Sequence, residues 1–251
     1  MPKKFPKQYL DRIGYKGVID SSYKTLSHLQ KAHLLNIPFE NLDIHYNRPI
    51  ELNIDKIYNK IINNKRGGFC YELNGLFYEL LKSLGFNAKI ISARVFDGKS
   101  NYGAEFDHLA LIVTIGKIAY LVDVGFGEFT FAPLKIELDI LQHDSRGDFV
   151  IHKFDEPYLQ VNQIIDGQKQ AVYIFQNQER RLTEFKAMCN YHQSSPKSHF
   201  TQKKLITRPT ENGRITLTNK LLKIKENDKV EEKVIPNEDA FNSELMRWFS
   251  I

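Results

Sequence analysis

The sequence predicts an α+β chain in three parts: a mainly helical first third, a middle of antiparallel sheet or small barrel, and a smaller mixed α/β closing segment. Three observations carry this prediction. Apolar residues recur at helical spacing from Tyr9 to about Gly85, short β-branched and aromatic runs follow from Ala88, and the chain turns more polar after Phe185. There is no internal repeat, low-complexity tract or long Ser/Gly linker, so boundaries rest on these changes of periodicity.

In the first part, Leu26, Leu29, His33 and Leu34 mark one helix. Leu73, Leu76, Phe77, Leu80, Leu81 and Leu84 mark another, ending near Gly85. Strand-like runs follow at Lys89 to Phe96, His108 to Ile115, Ile118 to Val124 and Phe149 to Phe154, punctuated by Gly98, Gly103, Gly116 and Gly127. The closing part holds Pro196, a strand from Arg214 to Leu217 and a helix from Glu238 to Phe249.

With 42% hydrophobic and 26% charged residues, the 251-residue chain has globular composition and length enough for a sizeable core. No apolar stretch reaches the length of about eighteen residues that a membrane helix needs. The basic start, Met1 to Pro6, runs into no apolar segment of signal-peptide type, so a soluble cytoplasmic protein is expected, with no membrane partner. Two cysteines, Cys70 and Cys189, give neither a disulfide framework nor a Cys-x-x-Cys pair. The eight histidines are scattered and none joins Cys or carboxylates at ligand spacing, so no metal is expected. A net charge of +5 suits nucleic acid, an anionic surface, a phosphate-bearing ligand or plain solubility. Lys203-Lys204 and the lysines from Lys220 to Lys229 are mixed with Glu226, Asp228 and aliphatic residues, which reads as a solvated face and not a nucleic-acid site.

Cys70 follows Arg66-Gly67-Gly68-Phe69 and opens the second helix. Helix N-terminal amides and the positive end of the dipole favour a thiolate, and the same amides suit the oxyanion of a tetrahedral intermediate. Gly67 and Gly68 would let backbone and substrate approach closely. A buried structural thiol is the commoner role for a cysteine, and Cys189, in Ala187-Met188-Cys189-Asn190, is read that way.

His108 to Ile115 and Ile118 to Gly125 read as a hairpin whose two-residue connection contains Gly116. If Ile115 faces Ile118, then His108 faces Gly125 and Asp123 faces Ala110, and His108 and Asp123 become diagonal neighbours on one face, roughly 7 Å apart at the backbone. A one-residue slip would put them on opposite faces. Asp123 can then accept from one imidazole nitrogen and leave the other toward Cys70. Either residue alone has an ordinary structural explanation, in a polar cleft or at a turn; Cys, His and Asp with compatible faces point to nucleophilic catalysis.

The blocks Tyr9 to Tyr15, His33 to Leu42, Arg66 to Phe77, His108 to Leu111, Leu121 to Gly127 and Ser195 to Phe200 resemble the arylamine N-acetyltransferase family. The resemblance spreads over most of the chain. It implies a helical bundle (1–86) carrying the cysteine, an antiparallel β-barrel (87–190) carrying His and Asp, and an α/β lid (191–251), around a cysteine-protease or transglutaminase-like core. It also implies a ping-pong transfer from acetyl-CoA through an acetyl-cysteine to an aromatic amine or hydrazine, with the family's triad falling on Cys70, His108 and Asp123. By the same resemblance Arg66, Tyr71 and Asn74 support the triad, Phe39, Val95 and Phe126 line the acceptor pocket, and Gly125 and Gly127 approach the coenzyme A arm. Where some relatives carry small hydroxyl and glycine residues before the histidine, this chain has Ala104-Glu105-Phe106-Asp107. The order Cys, His, Asp also suits a cysteine hydrolase or transglutaminase-like enzyme, and a basic nucleotide-binding protein without catalysis is the remaining alternative.

Overall fold

The computed structural model describes residues 4–251; Met1, Pro2 and Lys3, part of the basic start discussed above, lie outside the described residues. The first part holds α1 (Phe5–Arg12), α2 (Tyr23–Asn36), the two-residue strand β1 (Phe39–Glu40), α3 (Leu42–His45), α4 (Ile54–Tyr58) and α5 (Cys70–Ser83). Ser22 caps α2 by accepting the Thr25 amide at 3.2 Å, and Asn53 caps α4 by accepting the Lys56 amide at 3.1 Å. From Cys70 to Phe77 every residue of α5 is buried, so the helix that begins with the cysteine lies inside the molecule with no solvent face over its first two turns.

The middle is an eight-stranded antiparallel sheet: β2 (Asn87–Val95), β3 (His108–Ile115), β4 (Ile118–Val122), β5 (Leu134–Lys135), β6 (Gln142–Asp144), β7 (Gly147–Lys153), β8 (Leu159–Ile165) and β9 (Gln168–Phe175). Its order is β5-β4-β3-β2-β9-β8-β7-β6, which leaves β5 and β6 as the edges. Gln142 joins those edges, accepting the Lys135 amide at 2.7 Å and donating to the Lys135 carbonyl at 2.9 Å, so the sheet nearly closes into a barrel. Strand alternation divides the two faces. Leu109, Leu111 and Val113 pack on the helices, whereas Ala110 and Ile112 face the barrel interior with Tyr173, Phe129 and Phe149.

After α6 (Lys186–Ser194) the chain builds β10 (Leu205–Thr210), β11 (Gly213–Thr218), β12 (Leu221–Glu226), β13 (Lys229–Val234) and α7 (Glu238–Phe249). The sequence pattern showed one of these strands, Arg214 to Leu217. It could not show β13, Lys-Val-Glu-Glu-Lys-Val, because all six residues are exposed and carry no apolar alternation. The mainly helical first part also contributes a strand here: β1 pairs with β10, Phe39 opposite Thr207 and Glu40 opposite Ile206. β1 also bridges Gly68, the Glu40 amide donating to the Gly68 carbonyl at 2.8 Å, so the closing sheet is tied through β1 to the segment just before Cys70.

Candidate active site

The local turn before α5 explains both glycines. A Cβ on Gly67 would stand 2.1 Å from the Pro38 carbonyl oxygen, and one on Gly68 would stand 2.9 Å from the Glu72 Cβ. The chain thus needs both to pass Pro38 and to let the Glu72 carboxylate accept the Phe69 amide at 3.1 Å, which caps the helix. Neither glycine lines the cavity described below; the groups that approach them closely are Pro38 and Glu72. Beneath this turn lies a buried ion network. Arg66 reaches Glu40 at 2.7 Å and Asp43 at 3.1 Å, and Lys60 reaches Asp43 at 2.8 Å and Glu72 at 2.9 Å. Arg66 therefore sits behind the helix start, away from the cavity.

The hairpin has the register computed above, Ile115 opposite Ile118 and Leu111 opposite Val122, with Gly116 at φ +61° in the turn. The ladder stops at Val122, two residues short of the predicted strand end, and Asp123 turns inward. Its Oδ2 lies 2.6 Å from His108 Nε2, which leaves Nδ1 free of that bond. Asp123 Oδ1 accepts Asn74 Nδ2 and the Gly125 amide, each at 2.9 Å, and its Oδ2 also accepts the Tyr173 hydroxyl at 3.3 Å. Asn74 continues the bracing, donating to the Leu109 carbonyl at 2.6 Å and accepting the Val124 amide at 2.9 Å. Its side chain thereby ties α5 to the ends of β3 and β4. Tyr71 does the same for the segment before His108, its hydroxyl donating to the carbonyls of Phe106 at 2.7 Å and Asp107 at 3.1 Å.

Cys70, His108, Phe39, Val95, Phe126, Gly125 and Gly127 line one cavity of about 650 Å³, while Asp123 lies buried behind His108. Phe126 stands edge-on to His108 at 5.3 Å between ring centres. Gly125 has a second reason to be glycine, since a Cβ there would meet Asn74 Nδ2 and Cys70 Cα, each at 2.8 Å; Gly127 has φ +95° and open space around it. A wider hollow of about 930 Å³ lies over Cys189, but no histidine lines it, and burial pushes the Cys189 thiol up to about 12.

Burial also pushes the Cys70 thiol well up, the Asp107 and Asp123 carboxylates add to this, and the Leu109 amide opposes it. This reverses the direction expected from the helix terminus alone. The helix dipole is a local effect, whereas desolvation and two carboxylates from other elements outweigh it. An anion at this sulfur therefore needs a cation beside it.

The other cavity wall was not assigned from sequence: Asp107, His192, Ser198, His199, Phe200, Leu205 and Thr207 face in from the segment before β3, from α6, from the turn that follows α6 and from the closing sheet. Ser198 to Phe200 fall in a block that carried the resemblance, which was the available signal; nothing in the spacing attached a role to them. Among the described residues no helix is long and apolar enough to cross a membrane.

The N-acetyltransferase family model matches residues 22–251. The pineal gland isozyme NAT-10, an arylamine N-acetyltransferase of Gallus gallus, is 32% identical over 98% of this chain and 93% of its own length. The arylamine N-acetyltransferase structure from Salmonella typhimurium is 26% identical, with a TM-score of 0.92 over 100% of this chain and 92% of that one. The Mycobacterium marinum arylamine N-acetyltransferase solved in complex with CoA is 28% identical, with a TM-score of 0.88 over 98% of this chain and 92% of that one. Matched over nearly its whole length in both sequence and fold, this chain belongs to the arylamine N-acetyltransferase family.

Proposed function

We propose that this member of the family carries out acetyl-CoA-dependent acetyl transfer through Cys70, His108 and Asp123 in two half-reactions. The observation that carries the assignment is the 2.6 Å contact of His108 Nε2 with buried Asp123, at a cavity that Cys70 also lines. Proton transfer from Cys70 to His108 supplies the cation that the buried sulfur needs, and Asp123 stabilises that charge. The Cys70 sulfur attacks the thioester carbonyl of acetyl-CoA; the bond to the coenzyme sulfur breaks, His108 returns its proton to that leaving sulfur, and acetyl-Cys70 remains. The amine nitrogen then attacks the acetyl carbonyl, His108 takes a proton from nitrogen, and the Cys70 sulfur departs. An aromatic amine suits this step because it is neutral at pH 7 and keeps its lone pair.

Asn74, Tyr71 and, through the helix start, Arg66 hold the triad's supports in this reading, while Phe39, Val95 and Phe126 form an aromatic and aliphatic seat for the acceptor ring. Gly125 and Gly127 border the path of the coenzyme arm. No metal enters the chemistry. The three-part division at 86 and 190, a cytoplasmic setting and foreign amines or hydrazines as acceptors belong to the same proposal.

Intact mass after brief exposure to acetyl-CoA tests it. One acetyl group that requires Cys70, is absent in Cys70→Ala and disappears as acetyl-arylamine forms is the expected result. Amide cleavage without coenzyme A, and no acetyl adduct, would turn the assignment to a cysteine hydrolase.

A further inference from the structure

The same cavity holds a second imidazole and carboxylate that the transfer steps leave unused. His192, on α6, is 3% exposed. Its Nε2 lies 3.2 Å from Asp107 Oδ1 and 3.3 Å from the Asp107 carbonyl oxygen, and its Nδ1 lies 3.4 Å from the Ser198 hydroxyl. An N–H at Nε2 therefore has Asp107 as its acceptor. Asp107 Oδ2 accepts the Val95 amide at 3.3 Å, which fixes the carboxylate between β2 and α6. The Tyr71 hydroxyl holds the same segment against α5 from the residue next to Cys70.

Asp107 immediately precedes His108 and lines the cavity with Cys70, whereas Asp123 lies behind the imidazole. A carboxylate in that place acts against a Cys70 anion, and after burial it is the largest influence pushing the thiol up. The groups bearing on Cys70 are Asp107 before β3, Asp123 after β4, Cys189 on α6 and His108 on β3. Those facing His192 are Asp107, Tyr71 on α5 at 6.1 Å between ring centres, its neighbour Tyr191 at 5.6 Å, and His199 at 6.4 Å. Burial pushes His199 down, with His192 adding to that, Asp107 opposing it and Lys203 lowering it further.

We propose that His192 is a positioning residue for acetyl transfer: by donating to Asp107 it offsets that carboxylate, so that the Cys70 anion forms beside His108. This rests on the reading of Cys70 as the nucleophile. It predicts effects of opposite sign from two residues in contact, which loss of packing does not produce.

The test is the pH dependence of Cys70 alkylation by iodoacetamide in the protein without acetyl-CoA, with Cys189 as the internal reference in the mass spectrum. His192→Phe keeps a ring and loses the donor; the acid limb of the profile moves to higher pH and alkylation near pH 6 slows by about fivefold, the scale of one lost hydrogen bond to a carboxylate. His192→Gln retains an N–H donor and stays near wild type. Asp107→Asn moves the acid limb to lower pH, and in the double variant His192→Phe with Asp107→Asn the slow alkylation is rescued. Shifts of the same sign in the two single variants, or no shift in either alongside a normal acetyl-enzyme, would overturn the role of His192. A wild-type Cys70 no more reactive than Cys189, with no acetyl-enzyme, would overturn the nucleophile reading and this inference with it.

Discussion

Replacing Asn74 by Ala removes one side chain that braces three points of the site at once. Asn74 is fully buried; it donates to the Leu109 carbonyl at 2.6 Å and to Asp123 Oδ1 at 2.9 Å, and accepts the Val124 amide at 2.9 Å. Three buried hydrogen bonds at about 1 kcal/mol each, one of them to a carboxylate, plus a small cavity, amount to a loss of about 3 to 4 kcal/mol. Asp123 keeps His108, the Gly125 amide and the Tyr173 hydroxyl, so its charge remains but its orientation loosens. The rate of acetyl-Cys70 formation is then expected to fall by ten- to a hundredfold, on the order of 1.4 to 2.7 kcal/mol of barrier. Urea unfolding gives the first quantity and single-turnover mass spectrometry with acetyl-CoA the second. An Asn74→Ala protein within about 1 kcal/mol of wild type that acetylates at the wild-type rate would refute the bracing argument. Asn74→Asp sharpens the test: it keeps the shape but sets a second carboxylate against Asp123 Oδ1, so it should acetylate more slowly at pH 8 than at pH 6 relative to wild type.

Gly125→Ala is expected to cost about 1 to 3 kcal/mol, because its Cβ would meet Cys70 Cα and Asn74 Nδ2, each at 2.8 Å, and to slow acetylation; normal stability and kcat with only a raised KM for acetyl-CoA would make coenzyme approach its sole role. Acid stability follows from His33, which burial, with the charge of Arg12 adding to it, pushes down from 6.5 to about 3 while its Nδ1 stays 2.6 Å from the Tyr9 hydroxyl. Between those values the unfolded chain binds a proton that the folded chain refuses, so this contribution is complete above about pH 6.5 and is lost as pH falls, at up to about 1.4 kcal/mol per pH unit. His33→Gln, compared with wild type by urea titration at pH 7, 6 and 5, should show the shallower loss; parallel curves would remove His33 as the cause.

What the sequence disclosed depended on how far each cause lies along the chain. The hairpin was legible because its two-residue turn fixes register locally, and parity then carries His108 and Asp123 to one face without any knowledge of the rest. Gly67 and Gly68 were recognisable as sites of close approach, but what approaches is Pro38 and Glu72, and only the fold brings the Pro38 backbone to that turn. The strand β13 was invisible for the opposite reason: its neighbour β12 specifies it through backbone pairing, and its exposed side chains carry no pattern. The Cys70 thiol shows the same division in energetic form. The helix terminus is written in the residues around Cys70, whereas the opposing influences are burial and carboxylates supplied by other elements. Burying that sulfur makes its anion depend on a partner cation, so reactivity exists only where the hairpin delivers His108 with Asp123 behind it. A cysteine placed at a buried helix start without that hairpin would be inert, as Cys189, buried and without a histidine in the hollow beside it, is expected to be.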